Sequence, residues 1–490
     1  MHNRKTKKIT LLILIILFLG LVFEIFWIER KLDLKMPEIF VADQVIAPDI
    51  VVNVNQELGP VNPVWRALAQ GGEEPGKQML ASTVSHVKRI GPDYIRLDHI
   101  YDDDYYDVVK GRDQAGNLIL DWSRLDKTVN DILASGAKPF FSLSYMPKEL
   151  SDTKVGVPDW KLWQELVRKT VEHYSSQIDG IYYEVWNEPS LPSFGGWKMY
   201  GAKDYRQLYY YSVAGANNAQ NVKEYKIGGP SIPELDPKWI ELLFDFVLER
   251  GLRLDFISWH RYSFNPDQFV EDVYYINRLT AKPKYASFRD TEKVITEWGP
   301  NSYKDKVYSS QVAASHAVTT IRKLLDKVSY AFAFEIKDGP NQGEDAWGLL
   351  SHEDKGVKLK PRYYLFKWLA ELDGFRVPIQ GEGTNVKGFA VKNDNTITLI
   401  LSNYGTKDLK QEKVPLTFSG LRGEKYRFYK QELFRKPTED EVSVQGSTFS
   451  SELVMQPYSV VRVRLTKLDV GAVSGNSSFG ELINSESEGF

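Results

Sequence analysis

From about residue 50 the chain alternates short apolar runs with longer stretches in which apolar residues return every three or four positions. The short runs at 51–55, 94–98, 138–145, 180–187, 226–229, 255–260, 293–297 and 329–336 predict strands. Stretches such as 125–134, 160–174, 238–250 and 311–326 predict helices between them. Trp163, Leu166, Val167 and Val171 show the arrangement, since they share one helical face while Glu165 and Lys169 point away from it. Parallel strands joined by crossover helices give such a pattern, and eight repeats are the number that closes a barrel. A doubly wound open sheet would carry a glycine-rich turn after its first strand. Asn55-Gln56-Glu57-Leu58-Gly59-Pro60 is a poor phosphate cradle. The expected fold is therefore α/β, a (β/α)8 TIM barrel over residues 46–374.

After Gly374 the period changes to two. Runs at 389–391, 396–403, 414–418, 426–430, 452–455 and 459–465 are separated by turns such as Asn393-Asp394-Asn395, and predict an all-β sandwich domain over 375–467. Residues 468–490, rich in Ser, Gly and Glu, have little to bury and predict a disordered tail. At the other end, Arg4, Lys5, Lys7 and Lys8 precede an apolar stretch over 9–28 broken only by Glu24. That is about the ~20 residues a transmembrane helix needs. The basic flank predicts a cytoplasmic N-terminus, a single-pass membrane anchor over 1–28, a stalk over 29–45, and an extracytoplasmic remainder. Secretion after signal cleavage is the alternative, but the stretch from Phe23 to Lys31 offers no small-x-small cleavage site.

Composition narrows the chemistry. The 490 residues suffice for two or three domains. Lys+Arg 62 against Asp+Glu 65 leaves a net charge of -3, with no basic footprint for a nucleic-acid partner. The absence of cysteine removes thiol nucleophiles, disulfides and zinc-thiolate sites together. With seven His, a metal site would depend mainly on oxygen ligands, and none is predicted. Asp102-Asp103-Asp104 lacks the spacing of a calcium loop and reads as a solvated segment. No nucleophile elbow, P-loop or dinucleotide fingerprint occurs.

In a barrel the chemistry gathers at the C-terminal ends of the strands. The fourth predicted strand ends Glu184-Val185-Trp186-Asn187-Glu188-Pro189, and the seventh ends Thr296-Glu297-Trp298-Gly299. Each places a carboxylate beside an aromatic at the mouth, three strands apart. A lone Glu at a strand end is usually a solvated group or an ion-pair partner. Two facing each other over a cleft are the equipment of glycoside hydrolysis, in which one protonates the departing oxygen and the other attacks the anomeric carbon or activates water. Pro189 reduces the freedom of the backbone just after Glu188.

The run Tyr182-Tyr183-Glu184-Val185-Trp186-Asn187-Glu188-Pro189, with Ile295-Thr296-Glu297, resembles the clan A retaining glycosidases, and within them family 39, the β-xylosidase and α-L-iduronidase family. Tyr94-Ile95-Arg96, Leu143-Ser144-Tyr145-Met146-Pro147 and Ser258-Trp259-His260-Arg261-Tyr262 follow in the family's order over roughly residues 50–370. The resemblance implies that Glu188 is the general acid/base, Glu297 the nucleophile, and Asn187 the contact to the sugar 2-hydroxyl. It also implies that His260 and Tyr262 line the sugar site, with Tyr262 holding Glu297 ionised. Arg96, Asp98, His99, Tyr145 and Trp298 are further candidate substrate-binding residues. Either Asp98 or His99 could face the cleft, because the xylosidase pattern places its His where Asp98 stands. After the eighth strand the xylosidases carry an acidic pair, whereas this chain reads Phe334-Glu335-Ile336-Lys337-Asp338. Lys337 is either a partner for a uronic acid or a surface lysine, and Phe194 and Trp197 either stack on a sugar or fill core. The expected activity is a retaining glycoside hydrolase acting on an extracytoplasmic oligo- or polysaccharide without a cofactor. Exo-β-xylosidase and endo-acting hydrolase both remain open, and a non-catalytic polysaccharide-binding scaffold is the rival class.

Overall fold

A computed structural model of the protein describes residues 49–468, apart from 72, 73, 76, 384, 423, 424 and 445. The predicted anchor, the stalk and the predicted tail beyond 468 lie outside the described residues. Among the described residues, no helix is long and apolar enough to cross a membrane.

Eight parallel strands close into a barrel: β1 (Ala67–Gln70), β2 (Tyr94–Leu97), β3 (Lys138–Leu143), β4 (Ile181–Val185), β5 (Tyr225–Ile232), β6 (Phe256–Tyr262), β7 (Glu292–Gly299) and β8 (Tyr330–Phe334). Pairing of Ala333 with Leu68 joins β8 to β1 and completes the ring. A helix follows each strand, from Val84–Ile90 after β1 to Pro361–Ala370 after β8. The helix Trp160–Ser175 buries Trp163, Leu166, Val167 and Val171, as its periodicity requires, and Asp159 caps it by accepting from the Lys161 and Leu162 N–H groups. Ala67, Ala69, Phe140, Tyr182, Phe256, Val294 and Phe332 form one buried cluster contributed by six of the eight strands. The barrel interior is thus packed solid below the site, and the floor cannot sag.

The first strand differs from the prediction. Ile50–Asn53 pairs in parallel with Glu412–Ser419, so it belongs to the β-rich module, and β1 of the barrel is Ala67–Gln70. The physical reason lies in burial. Ile50–Asn53 buries alternate residues, as a strand with one wet face does, whereas all four residues of β1 are buried.

The β-rich module has two sheets. One, of seven strands, runs from Thr438–Ser443 at one edge to Gly59–Pro60 at the other; the second, of four, is centred on Ile50–Asn53 and Glu412–Ser419. Val52, Leu401, Leu416, Phe418 and Val463 fill the space between them. Helix Gln311–Leu324 docks the module on the barrel, with Thr319 bonded to Ser402 (3.0 Å) and Ser315 donating to the Asn403 carbonyl (3.3 Å).

Candidate active site

Four strand ends converge on one buried guanidinium. Arg96, on β2, is fully enclosed. Its Nε donates to Glu184 Oε2 at 2.7 Å, Nη1 to Glu297 Oε1 at 2.9 Å and to Asp98, and Nη2 to Asn187 Oδ1 at 2.8 Å and Ser231 Oγ at 3.3 Å. Desolvation works against this charge, but Asp98, Glu184 and Glu297 outweigh it and raise the Arg96 pKa above the ordinary arginine value. Breaking such a pair from one side would leave an uncompensated buried charge, at a cost of about 3–5 kcal/mol.

Glu297, near the end of β7, also accepts from the Tyr262 hydroxyl at 2.8 Å, and this contact is set by packing. A Cβ on Gly299 would stand 3.3 Å from the Tyr262 ring and 2.5 Å from the Tyr308 hydroxyl, so only glycine lets both tyrosines close on the strand end.

Glu188 is held differently. Just beyond β4 the backbone enters the left-handed region at Trp186 (φ 74°) and Glu188 (φ 45°), a conformation costing about 1–2 kcal/mol per non-glycine residue. Hydrogen bonds fix it there. Ser142 donates to the Trp186 carbonyl (3.0 Å), the Trp186 indole to the Phe194 carbonyl (2.7 Å), and the Glu188 N–H to the Ser231 carbonyl (2.9 Å). The bend turns Glu188 toward His260, whose Nδ1 lies 3.0 Å from Glu188 Oε1 and 3.5 Å from Glu297 Oε2. One oxygen of each carboxylate and one nitrogen of His260 lie within 4.8 Å of one another. Such a donor set has the spacing to hold a cation, but Arg96 already supplies positive charge to Glu297.

Burial is the main cause that pushes Glu188 up to about 7, opposed by Arg96. Burial likewise pushes Glu297 to about 7, with His260 and Arg96 opposing and Asp98 and Glu188 reinforcing. His260, lowered to about 4 chiefly by burial, is neutral at pH 7. A neutral ring satisfies every neighbour if Nδ1–H donates to Glu188 and Nε2 accepts from Ser231, 3.2 Å away. The enclosed set then has one guanidinium against four carboxyls, and this shortage of positive charge favours keeping a proton on the Glu188–Glu297 pair near neutrality. Glu297 has two donors, Arg96 and Tyr262, whereas Glu188 has the His260 nitrogen. That difference in donors favours the ionised form of Glu297 and the protonated form of Glu188.

The remaining predicted site residues separate. Asn187 is buried, its carbonyl fixed by Arg96 and its Nδ2 donating to the Tyr145 hydroxyl at 3.1 Å. Tyr145 stacks flat on His99, with centroids 5.5 Å apart, and Asp98 pairs with Arg96, so the structure brings both residues to the neighbourhood of the carboxyl pair. Arg96 lies beneath the carboxylates as their support. Trp298 does not line the cleft. Strand alternation turns it outward, where its indole donates to the Ala331 carbonyl (3.1 Å) and packs on Phe269 and His316. Lys337 is neither a surface lysine nor a free cation: it is 2% exposed and donates to both Glu353 oxygens at 2.7 and 2.8 Å. Trp197 is core, packed on Trp186, while Phe194 lies half-buried and parallel to Tyr145. Asp102 and Asp104 share Lys154.

Two contributors, Glu184 and Ser231, were not predicted. Glu184 did leave a signal, because a charged residue inside a strand buried on both faces demands a buried partner. Ser231 left none.

A closed parallel barrel with paired carboxyls at the C-terminal mouth is the arrangement that glycoside hydrolysis uses. The family model of glycosyl hydrolases family 39 matches residues 49–438, and the chain belongs to that family. A β-xylosidase of Caldicellulosiruptor saccharolyticus is 27% identical over 419 residues, spanning 76% of this chain and 82% of the relative. Among solved structures, the family 39 enzyme of Xanthomonas axonopodis pv. citri aligns with TM-score 0.73 at 20% identity, over 86% of this chain and 98% of that one. A monomeric β-xylosidase from Caulobacter crescentus CB15 aligns with TM-score 0.73 and 20% identity, over 86% of this chain and 100% of its own.

Proposed function

We propose that the protein is a retaining glycoside hydrolase in which Glu297 attacks the anomeric carbon and Glu188 serves as acid and then base. The glycosidic C–O bond breaks as a Glu297 oxygen bonds to the anomeric carbon, and the Glu188 proton passes to the departing oxygen. Glu188 then takes a proton from water, whose oxygen displaces Glu297. The geometry carries the reading: one oxygen of Glu188 and one of Glu297 lie within 4.8 Å of each other, the close approach that supports a retaining pair, whose carboxyl groups stand ~5–5.5 Å apart. Asn187 supports it. With its carbonyl held by Arg96 and one amide hydrogen on Tyr145, its remaining N–H has no partner among the described residues and can meet a 2-hydroxyl as charge develops. The substrate is a β-linked saccharide, and a β-xyloside is the first to test, given the activity named for the Caldicellulosiruptor relative. Incubation with a 2-deoxy-2-fluoro-β-xyloside carrying an activated leaving group should add one glycosyl mass to the peptide containing Glu297. Labelling elsewhere, or a first product of inverted configuration by proton NMR, would sink the mechanism.

The place of action is proposed from the first thirty residues, whose basic flank and apolar stretch fit an uncleaved anchor with the barrel outside the cytoplasm. Protease added to intact cells should digest the barrel domain. Its complete protection would overturn this part.

A further inference from the structure

Beside the cleft, a groove of about 480 Å³ runs from Tyr262 past the ends of β6 and β7 to Thr406 of the β-rich module. We infer that it is a distal subsite for a neutral saccharide chain whose cleaved bond lies between Glu188 and Glu297. The inference rests on the proposed reading of that cleft.

Four observations carry it. The groove is continuous with the site, because Tyr262 lines it and also donates its hydroxyl to Glu297. Its lining alternates ring faces with small polar groups. Tyr262, Phe264 and the outward-standing Tyr303, 60% exposed, supply the rings, while Asn265, Ser302 and Thr406, all exposed, supply amides and hydroxyls. Pyranose rings present the same alternation, apolar faces edged by hydroxyls. No charged residue lines the groove among the described residues, which favours a neutral chain over a uronate.

The groove is also stiff. The Ser263 carbonyl is held by His316 Nε2 (2.8 Å), and the Phe264 carbonyl by the Tyr404 hydroxyl (2.7 Å). In the facing loop the Tyr303 N–H is bonded to Asn301 Oδ1 (3.2 Å), and the Asn301 amide to Asp305 Oδ2 (3.0 Å). Tyr404 and Thr406 come from the β-rich module, so that module contributes directly to the groove. A wall already fixed before binding loses little freedom when a sugar docks.

The test uses aryl β-glycosides of xylose, glucose and galactose, and then oligosaccharides of two to six units of whichever sugar is turned over. In the unsubstituted enzyme kcat/KM should rise with chain length. Tyr303→Ala should lose about ten-fold in kcat/KM on the longest chain, mainly through KM, while the aryl glycoside is unaffected. Tyr303→Trp should restore the chain-length dependence. Tyr303 stands on the surface, so its removal leaves the core intact. Flat chain-length dependence in the unsubstituted enzyme, or an unaltered one in Tyr303→Ala, overturns the subsite. Failure to hydrolyse any aryl glycoside would instead count against the reading of the cleft.

Discussion

Two clusters at the same end of the barrel share one composition, a histidine between two glutamates. In one, Glu188, His260 and Glu297 have ligand atoms within 4.8 Å of one another; in the other, Glu74, His352 and Glu353 meet the same limit. Their electrostatics are opposite. The first lies under the cleft, with side chains 14%, 0% and 7% exposed, and its nearest cation is divided among three carboxylates. Burial therefore dominates and pushes both glutamates to about 7. In the second, Glu353 is 37% exposed. Burial pushes it up, but the bonds from Lys337 and Ser82 win and hold it down at about 2. A histidine and two carboxylates thus make no acid–base pair by themselves. What matters is whether water and a private cation are kept away.

The largest effects should come from breaking the first cluster. Glu297→Gln should lower kcat by a factor on the order of 10⁴ or more with any leaving group, since the proposed nucleophilic oxygen is lost. Glu188→Ala should cost about 10²–10⁴ on substrates with alkyl leaving groups and far less on nitrophenyl glycosides, which depart without a proton. Parallel kinetics on both substrate types check the pair. Equal losses for Glu188→Ala on both would contradict its role as acid.

The pH profile sharpens the same contrast. The proposed mechanism needs Glu297 ionised and Glu188 protonated, so kcat/KM should fall in acid as Glu297 takes up a proton. It should fall again above about 7 as Glu188 loses its own. Glu188→Gln, assayed on a nitrophenyl glycoside, should lose the alkaline fall and keep the acid one.

Stability follows from the sign of the shift. The folded pKa of Glu188 stands above the unfolded value of 4.5, so its contribution is complete below that value and is lost as pH rises through about 7. Glu188→Gln should therefore stabilise the fold at pH 8 by on the order of 2 kcal/mol, with the gain gone at pH 4. Denaturant melts at the two pH values measure this. A variant less stable at pH 8 would show that Glu188 is held by partners rather than strained by burial.

The sequence exposed the carboxyls far better than their support. Glu188 and Glu297 stand at the ends of strong apolar runs beside Asn187-Glu188-Pro189 and Thr296-Glu297, and the fold does bring them together. Ala67–Gln70 gave no such signal, because a short strand buried on both faces has no alternation to detect. Val52 and its neighbours did alternate, and that half-wet pattern belonged to the β-rich module rather than to a barrel strand. The Arg96 hub was half visible: the arginine stood out, but its partners come from β4, β5 and β7 and the segments just beyond β2 and β4, and only closure of the barrel assembles them. Trp298 was misplaced because its neighbour Glu297 suggested a shared face, although adjacent strand residues point to opposite sides.

The smallest effect is expected from the second cluster, and it tests the comparison from the other side. Glu353→Gln removes the carboxylate that Lys337 grips, close to the mouth but outside the reacting pair. Glu353 has a depressed pKa, so its contribution to stability is present above the unfolded value of 4.5 and is lost as pH falls toward about 2. Because the carboxylate is partly exposed, solvent screens the pair, and the cost at pH 7 should stay below about 1 kcal/mol. The amide oxygen of the substituted side chain can still accept from the buried Lys337 ammonium. The kcat on aryl glycosides should change by less than about two-fold, and neither limb of the pH profile should move, because no proton of the reaction passes through this cluster. A displaced alkaline limb in Glu353→Gln would mean that the two clusters are coupled through Gln70 and Glu335, which join Lys337 to β1. The contrast between them would then be one of degree rather than of kind.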